Sequence, residues 1–404
     1  MLPIERGLEI VMSTAMAKQR PDWMPAEPVP LLDSMHRILR ENILSDADSP
    51  RFDKAIRDGF AVRYEDLAGI PAVLTVTGES RAGAGAQVTV EQGQCCEIMT
   101  GAPLPAGANA VVMVENTERL SETSVRILSK VREGEGLLRQ GAEAREGDQI
   151  LNAGRRITLA DLGLLASTGK SRVMVSKRPK AAIIATGDEL VDVEEKPQAG
   201  QIRNSNTYTI CAQVREAGAE PVILGIGRDN LDDLRAKIGQ GLQHDILLVS
   251  GGVSMGKYDL VESVFAEFGV EVLFDKIAMK PGKPTVFGHR RNTYVFGLPG
   301  NPISTMVAFH MFVRPLILFL LKAENTSPKI LEAKLDAPAK CDPQRAALVP
   351  ALVRFEDGRY WIRTAPWKGS SDLAGLARAN ALIMIPRREG VLESGEQAQF
   401  LLME

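Results

Sequence analysis

Apolar positions change their spacing along the chain, and the changes mark its organisation. From residue 178 to residue 320, short β-branched runs alternate with helical patterns. "AAIIA" (181–185) leads into a glycine turn, and "NTYTICAQVREAG" (206–218) reads as a helix stopped by Gly218. "PVILGI", "DILLV" and "VEVLF" are further strands, separated by helical patterns that begin near Asp229 and Asp259. This alternation predicts a largely parallel sheet with helices on both faces. Right-handed crossovers then place "TGDEL" and "SGGVSMGKYD" on one sheet edge, where open α/β sheets bind ligands.

Residues 46–140 carry a different pattern, with the strand-like pieces "AVLTVTG", "QVTVEQG", "CCEIMTG", "NAVVMVE" and "SVRILS" between Gly, Pro and Asn turns. They predict a small β-rich domain. Its flanks, "VPLLDSMHRILREN" and "TLADLGLLASTG", both read as helices, and their pairing gives a discontinuous linking domain of 1–45 and 141–177 with the β unit inserted. The α/β domain follows at 178–326, and a strand-rich unit at 327–404 ends the chain.

Composition narrows the classes. A formal net charge of −3 gives no reason to expect nucleic-acid binding, so any anionic ligand needs a local site. Cys95, Cys96, Cys211 and Cys341 form no CxxC pair, and a reduced, cytoplasmic protein is the simplest reading. Glu5 and Glu9 argue against a signal peptide. The apolar stretch 303–321 is interrupted by His310, Arg314 and Pro315, which favours a buried helix that breaks or kinks near Pro315 over a membrane span.

The opening of "SGGVSMGKYD" (250–259) has two readings. Gly251, Gly252 and Gly256 let backbone N–H groups approach an anion, with Ser254 nearby and a helix end behind them. Alternatively the stretch is a tight turn in which Asp259 is an N-cap, with Glu262 completing a capping box. Beyond another strand, Thr186, Gly187, Asp188 and Glu189 suggest a hard cation such as Mg²⁺, against a solvated turn. Lys276, Lys280 and Lys283 surround Pro281-Gly282, a crowding of ammonium groups that a bound anion relieves; a basic surface loop is the alternative. In "GLPGNP" (297–302), Asn301 is a plausible cap with Pro302 in the first turn.

"RDGFAV", "MTGAPLPAGANAVV", "TGDEL", "SGGVSMGKYD", "KPGKP" and "GLPGNP", in this order, resemble the molybdopterin molybdenumtransferase family, which includes the end domain of gephyrin. The resemblance covers nearly the whole chain. It implies an elongated four-domain homodimer whose three-layer α/β molybdopterin-binding domain has a mostly parallel sheet. It further implies an enzyme that takes adenylylated molybdopterin and molybdate, releases AMP with Mg²⁺, and leaves molybdenum on the pterin. Carried over by motif, the catalytic set is Asp58, Thr100, Glu189, Asp229 and Asp259, with Glu189 and Asp259 as metal ligands. Substrate contacts fall on Gly251, Gly252, Ser254, Gly256, Lys276, Lys280, Pro299 and Pro302, and less clearly on Arg345 and Ser370.

Where the family often reads "GED", this chain has Gly141-Ala142-Glu143, and "DKAIRDGF" puts Lys54 and Arg57 near Asp58. The resemblance implies molybdopterin adenylyltransferase and apo molybdoenzymes as partners, and neither nucleic acid nor membrane. Two rivals stand beside it: a molybdopterin adenylyltransferase, whose fold resembles 178–320 alone, and a non-catalytic peptide-binding scaffold.

Overall fold

The computed structural model describes residues 1–18, 25–83, 88–252 and 260–403. Helix α1, Ile4–Lys18, buries Ile4, Val11 and Ala15 along one face. These residues, grouped from the sequence with the linking segment, pack with Phe309, Phe312 and Leu316 in the largest apolar cluster of the molecule. Leu2 continues the contact: its N–H donates to the Lys276 carbonyl at 3.1 Å, and its own carbonyl accepts the Ala278 N–H at 2.7 Å.

The flank 29–42 departs from the expected helix. Strand Ala26–Pro30 pairs antiparallel with Arg172–Ser176, one 3₁₀ turn follows at Leu31–Ser34, and Ile38 and Leu39 bridge to Arg156 and Val175. Prolines 28 and 30 offer no N–H at the start of the run. Pairing with a strand more than a hundred residues away then outweighs the local helical period, leaving Leu32 84% exposed. The second flank does form a helix: α2, Leu159–Ser167, opens with Thr158 and Asp161 as a reciprocal capping box. Both flanks meet over Leu39, Ile43, Ile157, Leu165 and Val175.

The inserted unit is a six-stranded sheet in the order Ala110–Met113, Gly59–Val62, Gln94–Ile98, Ala72–Ser80, Ser124–Ile127, Thr117–Ser121. "QVTVEQG" is not a full strand of it. Among its described residues only Thr89 bridges, to Ala106 in the Pro/Gly loop.

At the centre of the α/β domain lies a second six-stranded sheet, ordered Glu220–Gly227, Lys180–Thr186, Ile246–Ser250, Thr293–Leu298, Val286–Arg290, Glu271–Phe274. The first four run parallel; the last two are antiparallel, joined to the rest by a hairpin whose Arg291 has φ 50°. Helix α3, Asn206–Glu216, covers one face, and α4, Leu231–Gly241, with α5, Leu260–Glu267, covers the other. This is a three-layer α/β domain. Alternate residues of one strand divide between the faces: Ala181 and Ile183 join the α3 core, and Ala182 and Ile184 join the α4/α5 core.

The apolar stretch near the end of this domain forms α6, Pro302–Ala308, a π-helical turn at Phe309–Val313, and α7, Arg314–Leu320. Pro315 cannot donate to the preceding turn, and the widened turn lies directly before it. The span is long and apolar enough to cross a membrane, yet 78% of it is buried, packed against α1, α3 and one face of the central sheet.

The C-terminal unit closes into a five-stranded barrel of Leu331–Leu335, Ala346–Glu356, Arg359–Thr364, Ala381–Ile385 and Gln397–Leu402. Strand Met279–Lys280, from the α/β domain, adds in parallel to its Ala346–Ala347 edge.

Candidate active site

From strand Lys180–Thr186 the chain crosses by α3 to Glu220–Gly227 on one side. It then returns by α4 to Ile246–Ser250 on the other, and this reversal opens a crevice at the C-terminal strand ends. Four loops meet there. The Gly187 N–H donates to the Gly227 carbonyl at 3.1 Å, and the Gly251 N–H donates to the Leu298 carbonyl at 3.0 Å. Asn206, the first residue of α3, donates from Nδ2 to Ser250 Oγ at 2.9 Å and to the Gly300 carbonyl at 2.7 Å.

Gly251 and Gly252 have φ of 96° and 65°. A Cβ on Gly251 would lie 2.6 Å from the Thr186 carbonyl oxygen, and one on Gly252 2.8 Å from Thr186 Oγ1. Backbone freedom and close approach thus both require glycine. Thr186 Oγ1 and Asn206 Oδ1 are buried here without a hydrogen-bond partner among the described residues. Buried polar atoms are almost always paired, so this edge carries polar capacity that a ligand or water completes.

Two carboxylates are locked together beside the crevice. The Asp229 N–H donates to Asp188 Oδ1 at 3.1 Å, and the Asp188 N–H points back at Asp229 Oδ2 at 3.4 Å. Glu189 folds beside Gly187, where an added Cβ would lie 2.4 Å from its Oε2. Ser254, Gly256 and Asp259 lie outside the described residues, so the capping and cradle readings of Asp259 both stand.

On the other side of the crevice the barrel contributes. Strand pairing sets Met279 and Lys280 beside Ala346 and Ala347, just after Arg345, and Asp342 bridges the two cations: Lys280 Nζ lies 3.6 Å and Arg345 Nη2 3.3 Å from Asp342 Oδ2. Backbone donation from Gln344, assisted by Arg345, holds the Asp342 carboxyl below its ordinary range. Lys276 pairs with Asp275 at 3.1 Å. The crowding of ammonium groups expected from the sequence is therefore relieved by aspartates, with Lys283 alone making no ion pair among the described residues. Such half-exposed pairs are worth little, so a compact anion can compete for the same cations. The Ser370 carbonyl accepts the Ile303 N–H at 3.1 Å, which docks the barrel loop on the first turn of α6 beside Pro299 and Pro302. Asn301 occupies the cap position, but its side chain makes no capping bond.

Asp58 and Thr100 meet in the inserted unit, the Thr100 N–H donating to Asp58 Oδ1 at 2.7 Å. That bond, with a second from the Thr100 side chain, holds the Asp58 carboxyl below its usual range. Lys54 and Arg57 take no part in this shift; Lys54 faces Glu143 at 4.0 Å, and Glu143 accepts the Ser49 hydroxyl at 2.7 Å. The departure at Glu143 is thus a surface polar cluster. The side-chain bonds of Asp58 stay within the inserted unit and do not reach the strand-edge crevice.

Known proteins share this architecture from end to end. Family profiles described as "MoeA N-terminal region (domain I and II)", "Probable molybdopterin binding domain" and "MoeA C-terminal region (domain IV)" match residues 2–169, 182–318 and 332–403. A Bacillus subtilis molybdopterin molybdenumtransferase is 38% identical, covering 93% of this chain and 90% of the relative. The chain belongs to the molybdopterin molybdenumtransferase family. A Nostoc relative of the same name is 36% identical over 93% of this chain and 88% of its own length. Among solved structures, the molybdopterin biosynthesis MoeA protein of Pyrococcus horikoshii OT3 covers 100% of both chains at 27% identity with a TM-score of 0.83. Membership makes this an enzyme of molybdenum cofactor biosynthesis and separates it from a lone adenylyltransferase domain.

One residue of the crevice, Asn206, is absent from the sequence-derived candidates. Asp188 reads in "TGDEL" as one of two adjacent carboxylates suited to a hard cation but stands outside the set carried over by motif, and the structure adds its pairing with Asp229 across the sheet edge. Asn206 reads as an ordinary helix start in "NTYTI", with no local sign that its amide ties two strand ends together.

Proposed function

We propose that this crevice binds adenylylated molybdopterin and molybdate, cleaves the anhydride to release AMP, and leaves molybdenum on the pterin. The observation that carries the reading is convergence at one sheet edge: the glycine loops, the paired Asp188 and Asp229, and the first turn of α6, on which the Ser370 loop of the barrel docks. Gly251 and Gly252 let phosphate oxygens reach backbone N–H groups. Lys276, Lys280 and Arg345 suit the molybdate dianion.

The donor set also fits Mg²⁺, because a hard cation needs only one or two carboxylates plus substrate oxygens and water. Among the described residues no three acidic side chains gather as a ready-made metal cage, so one or two of Asp188, Glu189 and Asp229 would hold it together with substrate oxygens and water, with Asp259 added by the sequence motif. When bound, the ion offsets the phosphate charge that these carboxylates would otherwise repel. Asp229 and Asp188 orient each other through their backbone N–H groups, which keeps both carboxylates in the crevice.

Asp58 and Thr100 come to the site from a second copy of the chain in a homodimer. This supplies the residues that one chain keeps apart in its inserted unit. Upstream the substrate comes from molybdopterin adenylyltransferase, and downstream the product passes to apo molybdoenzymes. Four free, buried cysteines suit a reducing cytoplasm.

Incubation with adenylylated molybdopterin, Mg²⁺ and molybdate, followed by quantitation of AMP and reconstitution of an apo molybdoenzyme, tests the reaction. Absence of AMP release would refute it. Heterodimers of an Asp58→Ala subunit and an Asp259→Ala subunit should recover activity, and none in verified heterodimers would refute the shared site.

A further inference from the structure

Away from the crevice, two adjoining cavities share His36, Arg156 and Glu216 as common wall. The larger, about 490 Å³, lies where the linking unit, α3, α6 and the barrel meet, and is lined by side chains such as Ile303, Val307, Leu382 and Leu402. Its neighbour, about 360 Å³, is lined by Arg37, Arg156, Arg178 and Arg215, with Glu216 the only carboxylate on its wall among the described residues.

Not all four guanidinium groups are neutralised. Arg37 pairs with Glu27 at 2.6 Å, and Arg156 donates to the Glu216 carbonyl at 3.0 Å. The guanidinium groups of Arg178 and Arg215 make no hydrogen bond or ion pair among the described residues. Burial together with the charge of Arg37 pushes the Arg178 guanidinium below its ordinary range, while Glu27 and Glu220 act in the opposite sense. His36 holds a backbone φ of 63° at the junction of the two cavities, a conformation that a non-glycine residue adopts at a cost. Under the apolar compartment, Gln213 donates its amide N–H to the Met306 carbonyl at 3.2 Å, beside the π-helical turn, and its Oε1 has no partner among the described residues. π-Helical turns recur at functional sites.

We infer that the two cavities form one binding site for a small amphipathic anion, its apolar body between α6 and the barrel and its anionic head against Arg178 and Arg215. Together the cavities fall within the size of small-molecule sites. A neutral ligand leaves the arginines unused, and a simple inorganic anion leaves the apolar compartment unfilled. Only a molecule with both parts uses both walls.

The probe is 8-anilinonaphthalene-1-sulfonate, whose fluorescence rises in apolar surroundings, compared with N-phenyl-1-naphthylamine, the same ring system without the sulfonate. The full-length protein should bind one sulfonate dye per chain saturably, in the presence of saturating AMP. Arg178→Gln and Arg215→Gln, both exposed positions, should each weaken the sulfonate dye roughly tenfold and leave the neutral dye unchanged. Leu402→Asp, at a position 42% exposed, should weaken both dyes. Displacement of the sulfonate dye by AMP, equal loss of both dyes in the arginine variants, unaltered sulfonate affinity in them, or no saturable binding would each overturn the inference.

Discussion

Gly251→Ala is the most direct probe of the cradle. Its φ of 96° asks a side chain to adopt the left-handed region, which costs an L-residue about 1–2 kcal/mol. The new methyl would also sit 2.6 Å from the Thr186 carbonyl oxygen and 3.0 Å from Thr186 Oγ1. Because the first of these is backbone in a central strand, relief means moving the Gly251–Leu298 connection rather than a flexible side chain. Overpacking of this kind adds about 1–3 kcal/mol, for a total of about 2–5 kcal/mol. Gly200→Ala is the control, with φ 83° and nothing within 4 Å of the added carbon, so only the backbone cost applies. A four-unit chain need not unfold in one step. Local opening is therefore read by hydrogen exchange of the amides between residues 246 and 252, alongside AMP affinity by calorimetry. Faster exchange and at least a tenfold weaker AMP affinity are expected for Gly251→Ala, a loss of about 1.4 kcal/mol or more. Equal behaviour of the two variants would refute the claim that close approach to Thr186 shapes the site.

Lys280→Ala should raise the molybdate concentration needed for half-maximal turnover, whereas Asp342→Asn, which frees Lys280 and Arg345 from their shared partner, should lower it; titration of molybdate in the AMP-release assay reads both. Asp259→Asn keeps a good cap but removes a charge, so its AMP release should collapse while thermal unfolding stays unchanged; full activity would leave Asp259 a cap alone. The Asp58 carboxyl is held below its ordinary range, so its hold on Thr100 is complete above the unfolded value near 3.9 and is lost as pH falls through the lower folded value. Carbon-detected NMR titration should place the midpoint below that value, and Thr100→Val should raise it only in part, because the backbone donor remains. Asp161→Ala should destabilise the linking unit by about 2–4 kcal/mol in denaturant unfolding, since its buried carboxylate accepts from Arg155 Nε, Thr158 N–H and the Thr158 hydroxyl.

Legibility followed locality. The central sheet could be read because each buried strand carries its own apolar run and each helix its own stop. Gly218, for example, takes φ 98° and packs so closely on Leu321 that an added Cβ would lie 2.8 Å from it. The turns of the crevice were visible for the same reason, since a glycine with positive φ leaves a glycine in the sequence. The flank 29–42 misled because its apolar spacing suits a helix while its hydrogen bonds are settled by Arg172–Ser176. Pairing of Lys280 with Asp342 was invisible in turn, because it depends on a two-residue strand, Met279–Lys280, meeting a barrel strand that lies far along the chain. Helix α1 showed an apolar face but not its mate, Phe312 and its neighbours.

Helix α3 ties the two candidate sites to one scaffold. Its first residue, Asn206, knots the strand ends of the crevice, and its last turn presents Arg215 and Glu216 to the arginine-lined cavity. With 11 residues it spans about 16 Å, short enough to move as one rigid body. Helix α6 repeats the arrangement, its first turn docked by Ser370 beside the crevice and its Ile303 and Val307 side chains lining the apolar cavity. A substitution that shifts the packing of either helix therefore disturbs both places and cannot show which of them a ligand occupies, unlike a change at an exposed side chain such as Arg215. Arg178 avoids that ambiguity. It follows strand Arg172–Ser176 in the linking unit, belongs to neither helix, and makes no side-chain bond to the crevice loops among the described residues, so a change in binding on Arg178→Gln reports the arginine cavity alone.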